Sequence, residues 1–354
     1  MTGAAAGVRC LLMRGGTSKG AYFLAEDLPA DPAARDDVLL RVMGSGDARQ
    51  IDGIGGAHPL TSKVAVISRS TRPEAEIDYL FLQLGVDEAT VSDRQNCGNL
   101  LAGVGAFAVE RGLVEPGRPE TSVRIRMVNT DSIATATFRT PDGVVEYDGD
   151  TAISGVPGTA AVIVLDFADT VGANGLLPTG RVHDVINGVE VTCVDNGMPV
   201  VVARAADFGL TGYEPHERLA ADESLLERID ALRVRAGELM GLGDVRTSSV
   251  PKTTLLAAPR DGGTISTRSF IPVRPHTAIG VLGAVSVVTA LALPGAVGAD
   301  LAVAPVGPRY DVEHATGHLE VEVAVDHTAD PPKVLRSGVV RTARKLFDGT
   351  VFPR

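Results

Sequence analysis

The sequence predicts an α+β protein of two pseudo-symmetric domains, each a curled β-sheet around one central helix. Two long apolar stretches and the runs around them carry that expectation. In Asp93–Glu115, Leu100, Leu101, Val104, Phe107 and Ala108 recur at helical spacing, and Gly103 and Gly105 leave room for close packing against a sheet. A second Gly- and Ala-rich run, Ala278 to Leu293, falls short of a membrane span and suits a core helix. Around each lie short alternating runs bounded by Gly, Pro and Asn, the signals of strands and turns. Two similar halves of this kind place the natural ligand site in the cleft between them, with two positive helix N-termini aimed inward.

In chain order, Arg9–Met13 reads as a strand that meets Arg14-Gly15-Gly16-Thr17-Ser18-Lys19-Gly20 and then a second apolar run, Ala21–Leu24. The Gly-rich connection lacks the P-loop order; it is either an ordinary turn or a place where backbone N–H groups approach an anion. Pro32–Gly44 has helical spacing. Ser45–Lys63 holds too much Gly and Pro for regular structure and reads as a long loop delivering Thr61, Ser62 and Lys63 to the strand Val64–Ser68. Within it, Asp52 is expected to cap backbone N–H groups, and His58 before Pro59 reads either as an ordinary loop residue or as one that orients the lysine loop. Ile77–Leu84 and Val123–Asn129 read as strands, and Thr135–Arg139 with Gly143–Tyr147 as a hairpin around Thr140-Pro141-Asp142-Gly143.

Near Gly172–Gly180 the composition turns to Gly, Asn, Pro and Thr. Residues 1–180 are therefore expected to form an N-terminal domain, with 340–354 available to complete it, and 181–339 a C-terminal one. The second half has strands at Val189–Val194, Val200–Ala203 and Thr254–Ala258, an amphipathic helix from Ser224 to Met240, and the apolar helix. Before that helix, His276-Thr277-Ala278 falls in the place of Cys97-Gly98-Asn99 in the first half.

Composition narrows the function classes. Apolar content is 44% while aromatics are 4% and Trp is absent, so the core must be built from Val, Leu, Ile and Ala. A formal charge of −11 without a basic run argues against a nucleic-acid partner. Cys10, Cys97 and Cys193 are few, odd in number and far apart, as in a reduced cytoplasmic protein. Met1–Gly7 is too short and too weakly apolar to read as a signal peptide, and no stretch calls for a membrane. Cys10 and Cys193 read as core residues. His314 and His318 have i, i+4 spacing, but Gly317 argues against the helix a metal site would need, and no metal is expected.

Cys97 sits where the second half of its stretch turns helical, among outward-pointing N–H groups and a positive dipole. That environment favours a thiolate, although free cysteine is also commonly a buried structural residue. Lys63, taken alone, reads as easily as a solvated strand-edge residue.

The runs RGGTSKG, GDARQIDGIGGAHPLTSKVA, NCGN, VDNGMPVV, RDGGTISTRSFIPVRPHTAIGVLGAVSV and ARKLFDG, in this order over nearly the whole chain, resemble the PrpF-like isomerases of the diaminopimelate epimerase fold. The resemblance implies a cofactor-independent active site and proton transfer at carbon in small unsaturated di- or tricarboxylates, as arise in aromatic-acid breakdown. It implies Lys63 and Cys97 as the proton-transfer pair, and Thr17, Ser18, Gly98, Asn99, Met198, Arg268, His276 and Thr277 as substrate-lining positions. Epimerases of this fold carry a second cysteine at the second helix start, where this chain is expected to have His276; two-thiol racemisation is thereby disfavoured. An isomerase of the methylaconitate or methylitaconate type and a non-catalytic carboxylate-binding protein are the competing readings, and a homodimer is left open.

Overall fold

In a computed structural model, residues 7–94, 96–167, 170–305 and 307–354 are described. Met1–Gly7, weighed above as a leader, lies outside them except for Gly7. The chain divides into two compact units, the first up to Asp166 with Arg341–Arg354, the second Phe167–Val340. The stretch Gly172–Gly180 lies inside the second unit.

The first unit begins with a hairpin of β1 (Val8–Gly15) and β2 (Ser18–Leu24), followed by α1 (Pro32–Met43). Asp31 caps α1 through the Ala34 N–H, Pro32 opens it, and Gly44 in the left-handed region ends it. Next come β3 (Lys63–Arg69), β4 (Ile77–Leu84), β5 (Val91–Ser92), α2 (Gly98–Glu110), β6 (Glu120–Met127), β7 (Ser132–Arg139) and β8 (Val162–Phe167). Strand β2 runs parallel to β3, β3 antiparallel to β4, β4 parallel to β6, and β6 antiparallel to β7. Every residue of α2 from Leu100 to Ala108 is buried, and the helix touches β1, β2, β3, β4, β6 and β7. A Cβ on Gly103 would stand 2.6 Å from the Tyr22 hydroxyl, and one on Gly105 2.6 Å from the Phe138 ring. These glycines admit the strands as expected.

The second unit holds β9 (Asp184–Ile186), β10 (Val189–Asp195), β11 (Pro199–Arg204), α3 (His216–Ala220), α4 (Glu223–Leu239), β12 (Lys252–Ala257), β13 (Ile265–Ile271), β14 (Arg274–Pro275), α5 (Val281–Leu291), β15 (Arg309–His314), β16 (Gly317–Asp326) and the start of β17 (Lys333–Val351). Its ladder repeats the first unit's order. Strands β10 and β11 form the hairpin, β11 is parallel to β12, β12 antiparallel to β13, β13 parallel to β15, and β15 antiparallel to β16. The last residues of β17, from Arg341 and paired with β1, belong to the first unit. The repeat, faint in the sequence, is explicit in the pairing. Among the described residues no helix is long and apolar enough to cross a membrane.

Two local expectations need correction. Ser132–Arg139 pairs with Glu120–Met127, and the Thr140–Gly143 turn does not fold a second strand back onto it. The chain instead reverses at Val128–Asp131, where the Met127 carbonyl accepts from Thr130 and Asp131 N–H and Asp131 takes a positive φ. The apolar helix of the second unit starts at Val281 with Gly280 as N-cap, not at Ala278. Residues 276–278 are held in a turn, because the His276 Nδ1 accepts from the Ala278 N–H (2.9 Å) and the Thr277 carbonyl accepts from the Thr316 hydroxyl (2.9 Å). The counterpart of Cys97 at the helix cap is therefore Gly280, and His276 stands four positions before it.

Candidate active site

The first unit brings Lys63 and Cys97 onto one support. Strand β4 sends Tyr79, Phe81 and Gln83 to a single face by simple alternation. The Tyr79 hydroxyl donates to the Cys97 carbonyl (3.2 Å), the Phe81 ring lies 5.0 Å under the Lys63 amine, and Gln83 Oε1 accepts from that amine (2.6 Å). Gln83 is itself aimed: its Nε2 donates to the carbonyls of Pro59 (3.1 Å), Ser62 (3.1 Å) and Leu84 (3.2 Å). Lys63, 7% exposed, opens β3 opposite Gln83, with Gly20 on its other side.

The preceding loop is fixed by its own polar groups. Asp47 accepts from the N–H groups of Arg49 and Ile51, the capping expected of Asp52, which takes no such part among the described residues. His58 Nδ1 accepts from Leu60 N–H and the His58 carbonyl from Thr61, closing a 3₁₀ turn at Pro59–Thr61 just before the lysine. Buried Gln50 accepts from Ala57 N–H and the Ser62 hydroxyl.

Cys97 is the N-cap of α2, 9% exposed, and its side chain caps none of the helix N–H groups. Among the described residues, apart from the chain neighbours and the helix's own backbone, no atom lies within 4 Å of where a Cβ on Gly98 would stand, so the space beside the first turn is open. Thr17 and Ser18 sit at the β1–β2 hairpin, which packs on that same turn: Asn99 Nδ2 donates to the Thr17 hydroxyl (3.0 Å) and reaches the Ser18 hydroxyl (3.5 Å). Gly16, at φ 51°, faces the Asn99 amide so closely that a side chain would collide with it. The connection is a tight hairpin, and its glycines serve this contact. Tyr22 donates to the Leu100 carbonyl (2.6 Å). Burial, and then the nearby Cys97 sulfur, push the phenols of Tyr22 and Tyr79 well above their usual range, so both stay neutral donors. The unit thus presents an amine, a thiol, two hydroxyls and uncapped helix N–H groups, a set able to move a proton and hold an anion.

In the second unit, Met198 lies in the β10–β11 hairpin, where its carbonyl accepts from Ser286 of α5 (2.7 Å). Arg268 of β13 is 9% exposed and donates Nε–H to the Glu214 carbonyl (2.9 Å) and Nη1–H to the Thr267 carbonyl (2.8 Å). Burial lowers its guanidinium from the usual value, against the pull of Glu214 and Glu313. His276 and Thr277 occupy the turn described above. In the β15–β16 hairpin His314 stands opposite Gly317 and His318 opposite Glu313, and His318 Nδ1 pairs with Asp311 (2.8 Å).

Comparisons with known proteins identify the family. A family model described as PrpF protein matches residues 6–353. The chain belongs to the PrpF family. Its relatives in that family include the (4E)-oxalomesaconate Delta-isomerase of Novosphingobium sp. (strain KA1), 58% identical over 97% of this chain and 96% of the relative. The 4-oxalomesaconate tautomerase of Pseudomonas putida is also 58% identical, over 97% of this chain and 95% of that protein. The crystal structure of a methylitaconate-delta-isomerase matches with a TM-score of 0.87 and 32% identity, over 99% of this chain and 96% of that one. The PrpF chain therefore has the α+β, diaminopimelate epimerase-like fold expected from its motifs.

Sequence reasoning missed Gln83, Tyr79, Tyr22 and Asn129. The last bonds Phe81 through both its amide atoms and donates to the Asp93 carbonyl (2.7 Å), tying the approach to Cys97 onto β4. For Gln83, Tyr79 and Tyr22 the signal was a single polar group in an apolar strand, and Asn129 lies in the turn after β6.

Proposed function

We propose that this PrpF isomerase moves a proton between two carbons of an unsaturated keto tricarboxylate, 4-oxalomesaconate, with Lys63 and Cys97 as the proton-transfer pair. The shared face of β4, which braces both residues, is the observation that carries the assignment. In the keto form of the substrate, a CH₂ beside a carbonyl has an acidified proton. Lys63 takes it as base, the electron pair delocalises into a dienolate, and a proton returned by Cys97 at the other carbon completes a 1,3-allylic shift, whereas one returned at the enolate oxygen completes a keto–enol shift. Such a reaction asks for a base, an acid and enolate stabilisation, each supplied by side chains and backbone here.

Thr17, Ser18, Gly98 and Asn99 of the first unit, and Met198, Arg268, His276 and Thr277 of the second, are proposed as the groups meeting the substrate's oxygens. Arg268 commits one N–H each from Nε and Nη1 to carbonyls and retains the others for a carboxylate. We place the enzyme in the cytoplasm, where its free cysteines stay reduced.

Purified protein incubated with 4-oxalomesaconate is expected to change its ultraviolet absorbance and, in deuterated water, to exchange carbon-bound protons by NMR. Lys63→Met and Cys97→Ser should each lower turnover by roughly 10²–10⁴-fold with the fold intact. Near-normal turnover in both variants would end the assignment. Faster conversion of a methylitaconate-type dicarboxylate would transfer the substrate to the competing reading.

A further inference from the structure

The repeated ladder gives the first unit's lysine a counterpart. Lys63 opens β3, which is parallel to β2 and antiparallel to β4. Lys252 opens β12, which is parallel to β11 and antiparallel to β13. Each stands one step before a matched pair, Val64 with Leu82 and Thr253 with Phe270. The register that puts Gln83 opposite Lys63 carries Ile271, which offers no acceptor, to the corresponding place.

The two amines are consequently provided for differently. Lys63 has the Gln83 carbonyl oxygen and the Phe81 ring. Lys252 is half-buried, and among the described residues its amine has no hydrogen bond and no ion pair. It lies 3.5 Å from where a Cβ on Gly280 would stand, beside the cap of α5. Burial alone lowers the ammonium's proton affinity there. A cation withdrawn from water without a partner costs stability unless something anionic arrives.

We propose that Lys252 is a carboxylate-binding residue for the polycarboxylate substrate, its ammonium taking the acceptor that the protein itself withholds. The inference rests on the tricarboxylate reading of the function and extends it: the repeat supplies one lysine for the proton and one for substrate charge. Lys252 holds charge, because the position that carries the thiol in the first unit is Gly280 here.

The test separates this from the reading beneath it by using an unreactive ligand. Binding of tricarballylate, a saturated tricarboxylate, is measured by calorimetry for the wild type, Lys252→Met and Lys252→Arg, alongside steady-state kinetics with 4-oxalomesaconate. Wild-type turnover scores the function; the variants score the lysine. Lys252→Met should weaken tricarballylate and raise KM by about tenfold or more, with kcat within a few fold, and Lys252→Arg should recover most of the loss. The melting temperature of Lys252→Met should not fall, since an unpaired, half-buried charge has been removed. Tricarballylate affinity within twofold of the wild type, absence of wild-type binding, or a hundredfold loss of kcat at unchanged KM would each overturn the proposal.

Discussion

The two units are built on one ladder and equipped differently. In the first, the helix cap is Cys97, the strand-opening lysine is met by a glutamine, and two phenols hold the first helical turn. In the second, the cap is Gly280, and Ile271 stands where extension of the register would place the equivalent lysine's partner. The hairpin tip that is Gly15 in one unit is Asp195 in the other. Strand order and register survive in both because they are set by apolar alternation. The chemistry depends on a few positions that the ladder leaves free. The repeated ladder supplies the frame, and single side chains set the proposed proton-transfer pair in one copy.

That contrast can be broken at Gln83. Gln83→Glu keeps the shape but sets a carboxylate against the Lys63 amine, favouring ammonium over the free amine that a base must be. Turnover at pH 7 should fall by about 10–100-fold, with the rising limb of the pH–rate profile displaced to higher pH. An unshifted profile would detach Gln83 from the reaction.

The helices offer a second contrast. Gly103→Ala in α2 would crowd the buried Tyr22 hydroxyl and should cost about 1–3 kcal/mol in chemical denaturation. Among the described residues, apart from its chain neighbours and helix backbone, Gly283 of α5 has no atom within 4 Å of an added Cβ, so Gly283→Ala should stabilise by up to ~1 kcal/mol.

The smallest effect concerns Asp195, whose carboxyl burial pushes up to about 6, against a hydrogen bond from Gly197 N–H. The unfolded value is near ~3.9, so the contribution of the protonated form is complete below that pH and is lost as pH rises through about 6. The wild type should therefore lose more melting temperature between pH 5 and pH 7.5 than Asp195→Asn does.

Much of this was legible in the sequence. The start of α2 at Cys97, its glycines and the loop delivering Lys63 follow from helical periodicity and from Gly and Pro content, which are local signals. The beginning of α5 was read too early, because Gly280 has no capping side chain and the residues before it are equally small and apolar. The partner of Ser132–Arg139 was misplaced because Pro141-Asp142-Gly143 has turn chemistry without a returning strand. Gln83 and Lys252 were invisible for a different reason: their meaning lies in which residue sits across a ladder, and one sequence does not state its register.

The phenols of Tyr22 and Tyr79 have a further consequence. By gripping the Leu100 and Cys97 carbonyls from beneath, they stop the opening turn of α2 from fraying. Its amide dipoles are oriented before any ligand arrives. The disorder lost in aligning them is spent during folding, and a charge developing nearby meets donors that need not rearrange.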